Sequence, residues 1–401
     1  MTDAPATGAR RSVRWTLGVV VCLSAFAVDV SLPAVADTIR FFGAPDAKGQ
    51  LIIAVYLAGY GALQIPVGLL ADRFGRLPVF YVAMGLFIAA SALTVFATSI
   101  NQLLLARFLQ GAAAASAPVL SRAIARDLTS GRELAEFTSY LVICLATTML
   151  VAPIIGSLLI LAFGWRAPYA SSMLMGILVL ILMRLFLHET SASSPSREGV
   201  GRQFLRSLRT FLASGVSVWA TALIGFAFFG YMSIVAGLSQ TLHDVYSMSA
   251  ATVGFVFAGA VIFYLGSSQL SKHLLPRIGP AQQLKFSVAC FLISSAIWVW
   301  LLIAGAPSFW MFFLSLIPFM MGMGPLFANA TTLALEPLPN TAGFSAGIMG
   351  TTQLSLATAG AVVSGLIYDR STDAMLAVLL TGAVLACLVY GLGRSYVRRL
   401  M

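Results

Sequence analysis

Two charged side chains stand inside apolar sequence that otherwise excludes charge. Asp29 lies in Ala25-Phe26-Ala27-Val28-Asp29-Val30-Ser31-Leu32-Pro33, and Arg107 lies in Arg107-Phe108-Leu109-Gln110-Gly111. A carboxyl can take up and release a proton; desolvation favours its neutral form, and a cation beside it favours its charged form. An acid shifted between two such settings carries a proton from one to the other. A third group, Gly68-Leu69-Leu70-Ala71-Asp72-Arg73-Phe74-Gly75-Arg76-Leu77-Pro78, fills one of the short polar breaks. There Gly75 suits a tight turn and Pro78 the first turn of a helix. Asp72 closes a helix at the end where the dipole disfavours an acid, so it calls for a positive partner from elsewhere.

The elements that hold these groups are membrane spans. The chain has 401 residues, 59% hydrophobic and 9% charged, with mean hydropathy +0.93, whereas roughly a quarter of an ordinary soluble domain is charged. Twelve apolar runs of about 20 residues recur along it, and at 1.5 Å per residue each is long enough to cross a hydrocarbon core about 30 Å thick. The expected fold class is an all-α integral membrane protein of twelve spans, both termini on one side. The N-terminal tail, the loops after the even-numbered spans and the C-terminal tail hold about 19 of the 24 basic residues, leaving Arg40, Lys48, Arg166 and Arg370 on the other side. By the positive-inside rule both termini are cytoplasmic. The net charge of +10 follows from that bias. It needs membrane lipid headgroups as its partner and no nucleic acid.

Arg10, Arg11 and Arg14, a short apolar run and Ala34-Val35-Ala36 imitate a cleavable secretory signal. Cleavage there would leave eleven spans and break the repeat below, so span 1 is expected to stay. Cys22, Cys144, Cys290 and Cys387 fall in apolar spans without CxxC spacing, and no disulfide or metal site is implied. His188, His243 and His273 sit at span ends or loops and receive no role.

One long hydrophilic connection separates six spans from six. The expected organisation is a cytoplasmic tail over 1–14, a six-helix bundle over 15–187, a cytoplasmic linker over 188–212, a second six-helix bundle over 213–393 and a cytoplasmic tail over 394–401. Arg73-Phe74-Gly75-Arg76 has an echo 204 residues on in Arg277-Ile278-Gly279-Pro280, and Pro118-Val119-Leu120-Ser121-Arg122-Ala123 one 207 residues on in Pro325-Leu326-Phe327-Ala328-Asn329-Ala330. The two similar offsets point to a duplicated six-helix unit.

The loop of Asp72 resembles, nearly residue for residue, the G-x-L-A-D-R-x-G-R signature of the major facilitator superfamily. That resemblance implies two pseudo-symmetric six-helix bundles that rock about a midplane site. It also implies a gating role for Gly68, Asp72, Arg73, Gly75 and Arg76, with the loop acid docking on the cytoplasmic start of span 11, here near Thr341-Ala342-Gly343. Arg107-Phe108-Leu109-Gln110-Gly111 looks like the R-x-x-Q-G motif of the drug:proton antiporters with twelve spans, and Arg126-Asp127 follows it as in their bicyclomycin and chloramphenicol resistance branch. Ala152-Pro153-Ile154-Ile155-Gly156-Ser157 keeps Pro153 and Gly156 of the exporter pattern G-P-x-x-G-G and departs at Ala152 and Ser157. Asp29-Val30-Ser31-Leu32-Pro33 is similar to the branch's D-x-Y-L-P, with Ser31 in place of Tyr. Asn329 to Leu335 and Ala342 to Gln353 look like the same branch.

Depth can be reckoned without the family. Asp29 lies about 14 residues, or ~21 Å, into span 1, and Arg107 roughly 9 Å below the far boundary in span 4, so the two share a depth and are candidates to pair. An isolated intramembrane charge costs several kcal/mol, which pairing or a water-filled cavity would relieve. Counting on by about 207 residues, their counterparts fall near Ala236 and Leu314. The charges belong to one half only, which favours function over scaffolding. Tyr56, Tyr60 and Gln64, at helical spacing in span 2, together with Gln110, Asn329 and Gln353, are candidate cavity residues.

The resulting expectation is a proton-coupled antiporter, with no cofactor, exporting small amphiphilic organic compounds such as antibiotics from the cytoplasm across an inner membrane. Asp29 and Arg107 would couple protons, and the working unit would be a monomer. The alternative is a dedicated exporter of one physiological compound with the same fold; import by symport is not excluded by fold. A membrane enzyme would need clustered carboxylates, a metal set or a nucleophile with its base, and Asp72, Asp127, Glu133 and Glu136 lack such spacing. A channel would need neither a coupling acid nor the loop motif.

Overall fold

The structure, a computed structural model, describes residues 7–129, 131–190, 200–305, 307–338, 342–393 and 396. Thr341, the tail residues 1–6 and 397–401 and linker residues 191–199 lie outside them.

Helix α1 (Thr7–Asp29) ends inside the protein. A 3-10 turn follows over Leu32–Ala34, and α2 (Val35–Phe42) completes the pass. The break has a local cause: in an unbroken helix the Pro33 ring would clash with the carbonyl of Asp29, four residues back. Helices α3 (Ala47–Phe74) and α4 (Arg76–Val95) follow; α5 (Ile100–Ala114) and α6 (Ser116–Leu128) form one pass. Helices α7 (Gly131–Phe163) and α8 (Ala167–Phe186) complete the first half. The connection then contains a helix, α9 (Val200–Ala213), where sequence suggested only a polar linker. The second half comprises α10 (Gly215–Asp244), α11 (Ala250–Ala304), α12 (Phe309–Leu335), α13 (Ala342–Leu366) and α14 (Asp373–Leu392).

Eleven helical stretches among the described residues are long and apolar enough to cross a membrane. The 55 residues of α11 make two passes. Gly279 leaves helical geometry at φ 70, ψ 167. Gln283 Nε2 then donates to the Ser271 carbonyl at 2.8 Å, although residues twelve apart in a straight helix would be ~18 Å apart. The chain therefore folds back and the spans number twelve.

The duplication inferred from sequence reappears as geometry. Gly75 stands at φ 96, ψ 157, the same left-handed turn as Gly279. A side chain would be strained at either position. In α6 the Arg122 Nε donates to the Pro118 carbonyl at 2.9 Å, and in α12 the Asn329 Nδ2 donates to the Pro325 carbonyl at 2.8 Å. In both halves a side chain four residues after the proline donates to that proline's carbonyl.

The halves meet through α3 against α13 and α10, and α7 against the first limb of α11. Most of the polar contacts between them gather at the face opposite the chain termini. Arg370 Nε pairs with Asp46 Oδ2 at 2.7 Å, Gln240 Nε2 donates to the Asp46 carbonyl at 2.7 Å, and Ser239 Oγ to the Pro33 carbonyl at 3.3 Å. The Gly254 N–H donates to Ser157 Oγ at 3.0 Å. Nearer the midplane, Thr351 Oγ1 reaches the Gly61 carbonyl at 3.3 Å.

Candidate functional site

Asp29 is the last residue of α1, 6% exposed, at the break made by Pro33. A half-helix ending inside the bilayer is the kind of irregular backbone that transporters keep where it lines a binding site. The acid also sits at the negative end of that half-helix, an unfavourable place for a fixed carboxylate. Among the described residues its carboxyl forms no ion pair and no hydrogen bond. It lies within electrostatic reach of two phenols, Tyr56 in α3 of its own half and Tyr231 in α10 of the other. The 3-10 turn that follows it packs against α10 and α11 of the other half, where Ser239 Oγ donates to the Pro33 carbonyl, so the break that ends in Asp29 lies where the halves meet.

Arg107 is fully buried, so it does not snorkel, and the expected pairing with Asp29 is not formed. Its guanidinium stacks on Tyr56, 4.5 Å from the ring centroid, and reaches the Tyr169 ring at 5.7 Å. Nη1 donates to the Ala27 carbonyl at 3.2 Å and to Gln110 Oε1 at 2.6 Å; Nη2 donates to Ser31 Oγ at 3.2 Å, and Nε reaches the Ile52 carbonyl at 3.5 Å. Neutral acceptors and aromatic faces replace the carboxylate because the guanidinium fork fits several carbonyls at once. Ala27 O is one of the carbonyls left open by the end of α1. Ser31 Oγ donates to the next, Val28 O, at 2.7 Å. Arg107 and Ser31 together close the broken helix end, with the cation at the pole the dipole favours.

The candidate cavity residues separate into two sets. Tyr56 donates to the Ser24 carbonyl at 2.9 Å, Tyr60 is within hydrogen-bonding reach of Ser24 and Gln64, and Gln353 is half-buried in α13. Gln64 faces α13 closely enough that a side chain at Gly350 would collide with its amide. Of these four, Gln64 belongs to the seam. Gln110 does not: it is fully buried inside the first half, accepting from Arg107 and donating to Ser91 Oγ at 2.7 Å. Asn329 does not either, since it holds Gln283 Oε1 at 2.7 Å as well as the Pro325 carbonyl. Both were expected to face a cavity and instead join helices within a bundle. The residue matched to Arg107 by counting, Leu314, is 56% exposed; its neighbour Ser315 is the buried polar position, accepting from Trp298 Nε1 at 3.1 Å.

Pro153 and Gly156 are contact points of α7. A side chain at Gly156 would collide with the Val30 carbonyl, next to Asp29, and one at Gly254 would collide with the Pro153 carbonyl. The helix therefore touches the α1 break on one side and the other half on the other.

At the terminal face, the Asp72 carboxylate pairs with Arg76 of its own loop rather than with a distant cation. Arg76 is buried to 7% exposure and also reaches Asp127 Oδ2 through Nε at 3.1 Å. Because the chain turns at Gly75 and α4 begins at Arg76, the guanidinium lies back over α3. Glu189 accepts from the Arg76 and Leu77 N–H groups, both at 2.9 Å, and so caps α4. Arg73 lies over the Phe74 ring at 5.2 Å, and Gly68 packs near Val119 of α6. The expected docking of Asp72 on Thr341-Ala342-Gly343 falls where Thr341 and the neighbouring side chains lie outside the described residues.

Sequence reasoning missed Ser31, Tyr231, Glu189 and the Asp46–Arg370 pair. Arg370 was legible only as a topology charge, and Glu189 as part of the linker.

Residues 17–361 match the family model described as Major Facilitator Superfamily. The chain belongs to the major facilitator superfamily. It is 28% identical over 97% of both chains to an uncharacterized transporter of this type from Bacillus subtilis. It is 27% identical to multidrug resistance protein D of Escherichia coli over 83% of each chain. It is also 26% identical to the bicyclomycin resistance protein homolog of Haemophilus influenzae, over 93% of this chain and 92% of that one. The names of the last two relatives, multidrug resistance and bicyclomycin resistance, agree with the branch that the motifs of this chain resemble. A crystal structure of a bacterial homolog of the human lysosomal transporter Spinster, inward-facing and occupied, superposes with TM-score 0.74 at 14% identity, covering 99% of this chain and 98% of that one. That likeness establishes the fold; membership of the superfamily makes the chain a multi-pass membrane transporter whose substrates are small molecules.

Proposed function

We propose that this protein is a proton-coupled exporter of small amphiphilic organic compounds, working by alternating access in a bacterial-type inner membrane. The observation that carries the reading is the placement of Asp29, a buried acid at a helix break between the halves, without a fixed partner. The turn that follows it packs against α10 and α11 of the opposite half, so rocking of the halves changes how desolvated the carboxyl is. Such an acid binds a proton in one state and releases it in the other.

In this reading the two halves, 15–187 and 213–393, move as units joined by 188–212, and the face bearing the termini is cytoplasmic. The contacts about Asp46, Arg370, Gln240 and Ser157 close the outer face, and substrate enters from the cytoplasm near Tyr60, Gln64 and Gln353. Protonation of Asp29 from outside accompanies release of substrate, and deprotonation inward accompanies capture. With one proton exchanged for a neutral substrate, the membrane potential contributes about 2.3 kcal/mol per 100 mV. Arg107 acts on the proton site by holding the broken end of α1 in place.

A susceptibility screen against chemically diverse compounds, in an efflux-deficient host carrying wild type, Asp29→Asn or empty vector, tests the reading. Wild type is expected to protect against some compounds and Asp29→Asn against none. Equal susceptibility of all three strains across a diverse panel would contradict it and favour export of a single physiological compound.

A further inference from the structure

Helix α9 reads VGRQFLRSLRTFLA, with three arginines and no acid, and leads into membrane helix α10 through Ser214 alone. It therefore lies at the bilayer boundary. Phe211 is buried, and with Leu208 it packs against Leu338 and against Phe344 and Ile348 of α13. Ile65 of α3, from the first half, joins the same small cluster. One face of α9 is thus spent on the place where the two halves meet near the terminal face.

The adjoining face is turned away from the protein. Leu205 and Leu212, seven residues apart, are 64% and 60% exposed. Arg209 lies four residues after the first and three before the second, on the same stripe, and Arg206 flanks it; both arginines are exposed. Two leucines bordered by cations on a helix next to a membrane pass match an acyl layer overlaid by phosphate. An aqueous neighbour would leave both leucines wetted.

We propose that this face of α9 is a binding surface for the anionic phospholipid headgroups of the adjacent leaflet. Leu205 and Leu212 enter the acyl boundary while Arg206 and Arg209 hold phosphates. Since the adjoining face packs into the cluster where Ile65 of α3 meets α13, lipid attachment bears on the contact that must part and reform as the halves rock. An arginine close to an anionic leaflet strengthens attachment roughly fivefold.

The test is amide hydrogen exchange of the full chain in nanodiscs of pure phosphatidylcholine and in discs with roughly 30% phosphatidylglycerol, a strongly anionic surface. In wild type, exchange over 205–212 is expected to slow about fivefold or more in the anionic discs. The effect is expected to vanish in Arg206→Gln/Arg209→Gln and to persist in Arg206→Lys/Arg209→Lys, with exchange in α3 the same in all three as a control for folding. Wild-type exchange indifferent to phosphatidylglycerol, or equal slowing in the glutamine variant, would overturn the proposal. So would slowing reproduced by soluble glycerol phosphate in neutral discs, which would assign a soluble anion, or slowing that follows two copies per disc, which would assign the face to a second copy.

Discussion

The guanidinium of Arg107 stacks on the Tyr56 ring, 4.5 Å from its centroid, while donating to the Ala27 carbonyl at the broken end of α1. The basic residue of span 4 therefore shapes the seat of Asp29 without neutralising it. Lysine cannot reproduce the planar fork or the stacking. Arg107→Lys is expected to destabilise the purified protein by roughly 1–3 kcal/mol, because carbonyls buried around the fork lose their donors. Thermal unfolding in detergent reads this; an unchanged midpoint would count against the capping role.

Helices α3 and α5 approach so closely that a side chain at Gly111 would collide with the Tyr56 carbonyl. Gly111→Val must push the helices apart and move Tyr56 off Arg107. Overpacking of this kind costs about 1–3 kcal/mol. The substitution is expected to lower both thermal stability and transport, and Gly85→Ala, where the structure leaves open space, to change neither.

How much of this was legible in the sequence depended on whether a residue's partner lies nearby along the chain. The spans, the fold-back at Gly279 and the twin turns at Gly75 and Gly279 follow from apolar run length and glycine geometry, which are local properties. Asp29 and Arg107 could be placed at one depth by counting residues, but depth does not give azimuth. Only the packed helices show that Arg107 points at carbonyls and rings and leaves the buried Asp29 carboxyl unpaired among the described residues. The same limit explains Gln110 and Asn329: polar residues in spans read alike whether they face a cavity or join two helices of one bundle. The Asp46–Arg370 contact links loops 324 residues apart, and no spacing rule announces it.

Glu189 receives two backbone N–H groups at the start of α4 and faces the buried Arg76 network. Removing the carboxylate leaves those groups unpaired. Glu189→Ala is expected to cost about 1–2 kcal/mol, as loss of a helix cap does. Amide exchange should quicken at Leu77 and neighbouring residues of the first turn of α4, and remain as it was at the opposite-face end of the helix.

The Asp46–Arg370 ion pair joins the halves at the face opposite the termini, with Tyr368 and His243 held on nearby Asp244. Exposed pairs are individually weak, so Asp46→Asn and Arg370→Gln are each expected to shift the populations of closed and open states without unfolding the protein. Spin labels at Phe41 and Trp310 should report a new, longer distance in either variant. The charge-reversed pair Asp46→Arg/Arg370→Asp should restore the short one. Identical distance distributions in all variants would remove the pair from the gate.

The central claim is that Asp29 carries the proton. Wild type and Asp29→Asn are reconstituted in proteoliposomes with a compound found in the susceptibility screen, and transport is followed under an imposed pH gradient and, separately, as substrate-for-substrate exchange without one. Wild type is expected to accumulate the compound against its gradient. Asp29→Asn is expected to lose that accumulation while still exchanging bound for free substrate, since the fold and the seam remain. Full uphill accumulation by Asp29→Asn under the same pH gradient would contradict the account.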